Sequence, residues 1–424
     1  MDQSLVHSIA DTIDRLESEL VERLQELIRI PSVTGSEHDV QQAIARQMND
    51  LTLDVDMWEP DAAELAPYAE DVGEFESLAG RPNVVGTRRG RGGGKSIILN
   101  AHIDTVEAGD PAQWTVDPFL AEVRDGRVYG RGTCDMKAGL IAEFMALRAL
   151  DELGISLTGD VFVESVISEE DGGAGALATL LRGYKADAAI ITEPTNLAIV
   201  SAQGGSVVFR LTVTGRSAHA CLRNEGVSAF EKFLPIHAAI LEHENQHHEA
   251  IDHPLYQRFE NRAPINIGII RGGNWPSSVP ESIVVEGRAG LVPGETLDET
   301  RAALVEAVEK ATEADSWFQE HPPHIEWFSG QFAAAETPVE SPLMHALLNA
   351  DRETTGSTAP IEAVTYGADM RHYVNFGGIP CLMYGAGDVA RAHRPDEFVP
   401  ISEVKTVART LALLLTDWCG MHNS

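Results

Sequence analysis

The chain has 424 residues and a hydrophobic content of 43%, enough for a sizeable core divided over two or three domains. Its net charge of −33, from 32 Lys and Arg against 65 Asp and Glu, repels nucleic acid and anionic membranes and excludes both as partners. No uncharged apolar run reaches the roughly 18 residues of a membrane span. The N-terminal MDQSLVHSIADTIDRLESEL lacks the basic start and apolar stretch of a signal peptide, which predicts a cytoplasmic protein.

In chain order, apolar residues at helical spacing (Ile13, Leu16, Leu20, Leu24, Leu27) predict a helix over residues 8–30. Gly35, Ser36 and Glu37 read as the cap of a second helix that runs to Met48. Residues 59–81 are acidic, contain Pro and Gly, and read as a loop. Short apolar runs at 83–86, 97–100, 161–167, 188–191 and 381–384 predict buried strands. Helical stretches at 138–153 and 174–181 alternate with them, the pattern of an α/β domain with a mostly parallel sheet. Strand patterns at 207–213, 265–270 and 283–290, with helices over 227–244 and 297–314, describe a small α+β unit. The expected organisation is a discontinuous α/β domain, residues 1–205 and 331–424, with an α+β domain inserted at 206–330.

Three features invite other readings. Cys134, Cys221, Cys381 and Cys419 lie far apart, which argues against a disulfide framework or a thiolate zinc site. The string RGRGGGKS at residues 89–96 resembles a phosphate loop, but Arg89 stands where Gly is needed and the string precedes a strand rather than follows one. His243, Glu244 and His247 form a literal H-E-x-x-H, yet polar residues flank it on nearly every side, and a solvated helix end is the better reading. The acidic charge fits either a high-salt habitat or an ordinary soluble acidic enzyme.

Five segments supply metal-ligand residue types, four of them at or just after the carboxyl end of a predicted strand, where open parallel sheets place their sites. His102 and Asp104 are two apart on extended chain and share a face, so one can ligate while the other orients it. Asp135 follows a Gly-rich turn and precedes a helix; an N-cap and a bridging carboxylate read alike there. Glu169 and Glu170 end an apolar strand, and burying such acids is costly unless a cation compensates. Adjacent side chains on extended chain point opposite ways, so one can face a metal and the other substrate. Glu193 ends the next strand and His393 follows the last. Each segment alone is an ordinary solvated turn. Together they suit two zinc ions about 3.5–4 Å apart that share a carboxylate.

These motifs resemble the family of acetylornithine deacetylase, succinyl-diaminopimelate desuccinylase, aminoacylase and the glutamate carboxypeptidases, over nearly the whole chain. The resemblance implies His102, Asp135 and Glu193 on one metal and Asp135, Glu170 and His393 on the other, with Asp135 bridging. It implies two divalent ions, Zn²⁺ with Co²⁺ as a substitute, and Glu169 as general base. In the inserted domain it implies His219 as a donor to the substrate carbonyl across a homodimer interface, and Asn266 and Arg288 as substrate-binding residues. Glu286 stands where the family often has Asp. Glu193, where several peptidases have Asp, favours a deacylase of a small N-acyl amino acid or related amine. A deformylase of an N-formylaminopyrimidine, a metallo-carboxypeptidase and a catalytically dead ligand-binding member of the fold are the alternatives.

Overall fold

The structure is a computed structural model that describes residues 2–422. Its central sheet has nine strands. In spatial order these are Asp54–Trp58, Asn83–Arg88, Val161–Val166, Ile97–His102, Ala189–Ile191, Cys381–Met383, Ile199–Gln203 and Ala335–Glu336, with Ile361–Val364 also paired to Ile199–Gln203. The four middle strands, from Val161–Val166 to Cys381–Met383, run parallel. They are buried along their whole length, which explains continuous apolar runs rather than alternation. Antiparallel strands flank them on both sides.

The helices Ala138–Glu152, Ile401–Trp418, Pro342–Thr355 and Gln3–Arg15 pack together against the sheet in one core. Helix Ala138–Glu152 has nearly every residue buried, so its apolar residues run all round the axis rather than along one stripe. Its start lies so close to the end of Ala189–Ile191 that a Cβ on Gly139 would sit 2.3 Å from the Thr192 carbonyl oxygen.

A second sheet is antiparallel, in the order Ile265–Gly272, Ser282–Leu291, Gly205–Thr214, His324–Trp327. Helices Ala229–Ala250 and Leu297–Thr312 cover one face and share its own apolar core. A capping box of Thr296 and Glu299 starts the second of these helices. No helix among the described residues is long and apolar enough to cross a membrane.

Several local expectations change. The helix expected over 8–30 is two, Gln3–Arg15 and Glu17–Ile28, because Leu16 leaves helical geometry at ψ 4°. The cap of the next helix is Glu37 without a side-chain cap bond. Its carboxylate is taken instead by Arg81, at 2.7 and 2.9 Å. Residues 59–81 contain the short helices Ala62–Leu65 and Ala69–Val72. Strand Asp54–Trp58, unforeseen because its residues are half polar, pairs at the sheet edge. Helix Ala229–Ala250 runs on through His243 and His247.

Candidate metal centre

The carboxyl ends of the four parallel strands open on one edge, and each delivers polar side chains there. His102 ends its strand and is 1% exposed. Its Nδ1 donates to the backbone carbonyl of Asp104 at 2.9 Å. Its Nε2 therefore faces the opposite way, 2.9 Å from Asp135 Oδ1 and 3.8 Å from Glu193 Oε1. The His393 Nε2 lies 3.0 Å from Glu170 Oε1 and 3.3 Å from Asp135 Oδ2. Asp135 thus offers one oxygen to each imidazole. Ligand atoms of His102, Asp135 and Glu170 fall within 4.8 Å of one another, as do those of His102, Glu169 and Glu193.

The backbone around these groups is tightly specified. Three amide N–H groups of the Asp135 loop, from Gly132, Cys134 and Asp135, donate to the carboxylate of Glu397 at 3.1, 3.0 and 3.3 Å. Arg131 also donates to Glu397, and both side chains are almost fully buried. Lys137 anchors the other side of the loop through Nζ bonds to the carbonyls of Leu27 and Ile30, at 3.0 and 3.2 Å. Burial pushes its ammonium down to about 7. Asp104 accepts from the N–H groups of Glu169 and Glu170, at 3.1 and 3.2 Å, and from Thr34. Its carboxylate is 3.7 Å from His102 Nδ1, so it orients the glutamate loop more directly than the imidazole. Beyond that loop, Arg371 donates to the Gly172 carbonyl at 2.7 Å. Gly173 has φ +75°, and a Cβ on it would lie 2.3 Å from Asp369 Oδ1.

Electrostatics follow from crowding acids into a desolvated cleft. Burial raises Glu169 well above the usual carboxylate range, and Glu193, Asp369 and Glu170 push it further. Burial and repulsion from Asp135 raise Glu193 to about 8. Burial of His102 opposes its charge, but Asp104, Asp135 and Glu193 outweigh this and hold the imidazole well above its ordinary value. Hydrogen bonds from His393 to Asp135 and Glu170 raise His393 to about 10. Either protons or cations must sit between these groups. Two imidazole nitrogens and three or four carboxylates are donors of the kind that divalent transition ions take, so the residues fit such ions.

Of the residues singled out in the sequence, the structure gathers His102, Asp104, Asp135, Glu169, Glu170, Glu193 and His393. It does not bring in His219, which is exposed on the second sheet's side and whose Nδ1 accepts from the N–H of Cys221 at 3.2 Å. Asn266 is exposed and lies opposite Arg288 in register. Arg288 is partly buried, and burial depresses its guanidinium. Its nearest polar contact is the Thr365 carbonyl at 3.5 Å.

Sequence reasoning passed over Glu397, Arg371, Asp369 and Tyr366. Glu397 was within reach, since it stands four residues after His393 and just before the apolar Phe398 and Val399. Burial raises Tyr366 well above its ordinary value, and the charges of Glu193, Asp135 and Glu169 push it the same way. The H-E-x-x-H segment is less solvated than expected. His247 bonds to Glu295 at 2.6 Å, and Glu244 accepts from Asn261 Nδ2 and the Ile265 N–H, both at 2.7 Å. Glu244 is thus a structural acceptor that ties the helix to the strand Ile265–Gly272.

The chain is similar to known proteins over nearly its whole length. The chain is 28% identical to the N-formyl-4-amino-5-aminomethyl-2-methylpyrimidine deformylase of Bacillus subtilis, over 99% of both chains. It is 26% identical to the acetylornithine deacetylase of Photorhabdus laumondii, over 95% of this chain and 98% of that one. A tripeptidase from Staphylococcus aureus superposes with a TM-score of 0.74 at 22% identity, over 95% of this chain and 98% of that one, and so shares the fold. Residues 98–417, which carry every group of the cluster, match the model of peptidase family M20/M25/M40, and the chain belongs to that family.

Proposed function

We propose that the protein is a metal-dependent amide hydrolase that removes the acyl group from a small N-acylated amine. The observation that carries this reading is Asp135, whose two oxygens each face a histidine within a ring of buried carboxylates. His102, Asp135 and Glu193 would hold one divalent ion, and Asp135, Glu170 and His393 a second. Zn²⁺ suits the nitrogen and oxygen donors, with Co²⁺ as a substitute. Bound there, such ions supply Lewis-acid polarisation of the amide carbonyl and activation of water at neutral pH.

The protein's own groups complete the reaction. Glu169 takes a proton from the attacking water and returns it to the leaving amine. Its raised affinity for protons suits that exchange. Arg288, desolvated and without a carboxylate partner among the described residues, and Asn266 opposite it hold a substrate carboxylate or an equivalent group. His219 serves as an oxyanion donor in a second copy of the chain. An apolar strip on the second sheet supports a homodimer through this unit: Ile269 and Ile270 are exposed on its edge strand, and Phe230, Leu234 and Leu241 on the neighbouring helix.

The first substrate reading is an N-acyl amino acid, as for acetylornithine deacetylase. A formylaminopyrimidine is the second, and the Bacillus subtilis deformylase, matched over 99% of both chains, favours it. The test is turnover of N-acetyl, N-succinyl and N-formyl amides by the metal-loaded protein beside its Glu169→Gln variant. Release of amine that Glu169→Gln abolishes supports the reading; release that is indifferent to Glu169→Gln counts against it.

A further inference from the structure

The strands Ile265–Gly272 and Ser282–Leu291 form a hairpin whose last pair is Gly272 with Ile283, leaving residues 273–281 as its tip. Trp275 stands on this tip and is 69% exposed, more than any other large apolar side chain of the described residues. The tip is bonded to the loop that carries His219. Ala220 N–H donates to the Ser277 carbonyl and Val279 N–H to the Ala218 carbonyl, each at 2.9 Å, and His219 pairs with Ser278. Ser278 N–H closes a turn back onto the Trp275 carbonyl at 3.1 Å.

His219 and Trp275 therefore travel as one body. A four-residue turn spans less than about 7 Å between its outer Cα atoms. A paired strand residue adds about 5 Å. The Cα atoms of His219 and Trp275 therefore lie within about 12 Å of each other, a span that one small substrate and two side chains can bridge. Among the described residues, neither side chain bonds to the metal cluster of its own chain.

We propose that Trp275 enters the catalytic cleft of the second copy together with His219 and packs its indole face on the non-acyl part of the substrate. The inference rests on the shared-site reading of His219. An exposed indole gains most by burial against a flat or apolar group, so Trp275 selects amides whose amine half offers such a face. The strip of Ile269 and Ile270 lies along the edge strand rather than on the tip. Trp275 thus stands beyond the strip through which two copies would join.

The test locates Trp275 without relying on turnover. Chains labelled with 5-fluorotryptophan and carrying Asp135→Ala are exchanged with unlabelled wild-type chains loaded with Mn²⁺, and the ¹⁹F line of Trp275 is assigned by Trp275→Phe. The expected result is broadening of that line by the partner's Mn²⁺. An unbroadened line in hybrids confirmed by native mass spectrometry overturns the inference. If, in addition, Glu169→Gln and His219→Ala chains restore activity on mixing, the shared site stands and only the role of Trp275 falls. If mixing restores none, the shared site fails as well. In a second measurement, Trp275→Ala should raise KM for the formylaminopyrimidine about 10-fold or more, with kcat little changed and the dimer intact. Dissociation of the dimer by Trp275→Ala would instead make Trp275 an interface residue and overturn the proposal.

Discussion

Glu169 and Glu244 are both glutamates beside histidines, and their surroundings separate them. Glu169 sits in a desolvated ring of acids and its nearest neighbours are prospective ligands. Glu244 spends its carboxylate on Asn261 and the Ile265 N–H. Glu169→Gln should lower kcat by about 10²–10⁴-fold, as loss of a general base does, while elemental analysis shows metal content unchanged. Glu244→Ala should leave kcat unaltered and cost about 1–3 kcal/mol of stability, because two donors lose their acceptor. Denaturant unfolding measures the second, and the reverse ranking in a kinetic assay would restore the H-E-x-x-H reading. At this scale the sequence singled out residues that the structure gathers where a residue type alone limits the chemistry, as for His102, Asp135 and Glu170. It was not legible for Arg371 or Asp369. Their contact with the glutamate loop joins residues about 200 positions apart, Arg371 to Gly172, and no local spacing encodes that.

The elements decide how firmly the prospective ligands are held. Glu397 accepts from three amides of the Asp135 loop, so it fixes the carboxylate that faces both histidines. Glu397→Ala should weaken metal binding about 10–100-fold, the usual loss when the support of a ligand is removed, as read by competition with a chelator. In the metal-free protein His393 is raised to about 10, so it carries a proton at neutral pH, and its neighbours push His102 in the same direction. A metal must displace the His393 proton, hence affinity should climb as pH rises and protons should be released on binding. Calorimetry in two buffers of different ionisation enthalpy measures that release, and its absence would contradict the assignment of these imidazoles. The parallel strands were readable because burial on both faces leaves unbroken apolar runs. Strand Asp54–Trp58 was not, since an edge position tolerates Asp54 and Asp56. The break at Leu16 was hidden because its apolar side chain continues the helical pattern across the kink.

Over the whole molecule, the charge of −33 sets acids against one another on the surface. Salt screens such repulsion over about 10 Å at 0.1 M ionic strength, so Tm should rise when salt is added; a thermal melt that falls or stays level would show that surface repulsion is not a limiting cost. The two-sheet architecture was visible in the change of pattern near Ser206, where the short buried strands give way to long antiparallel ones. In the proposed shared site the second unit's exposed residues would reach a metal centre only through another copy of the chain, a path that no single sequence displays.

If two divalent ions share Asp135, removing that one carboxylate should release both. Elemental analysis of the purified protein beside Asp135→Ala measures this. The expected result is about two ions per wild-type chain and loss of most of both in the variant, with its fold intact by circular dichroism. An Asp135→Ala protein that keeps its full metal content would contradict the sharing of Asp135.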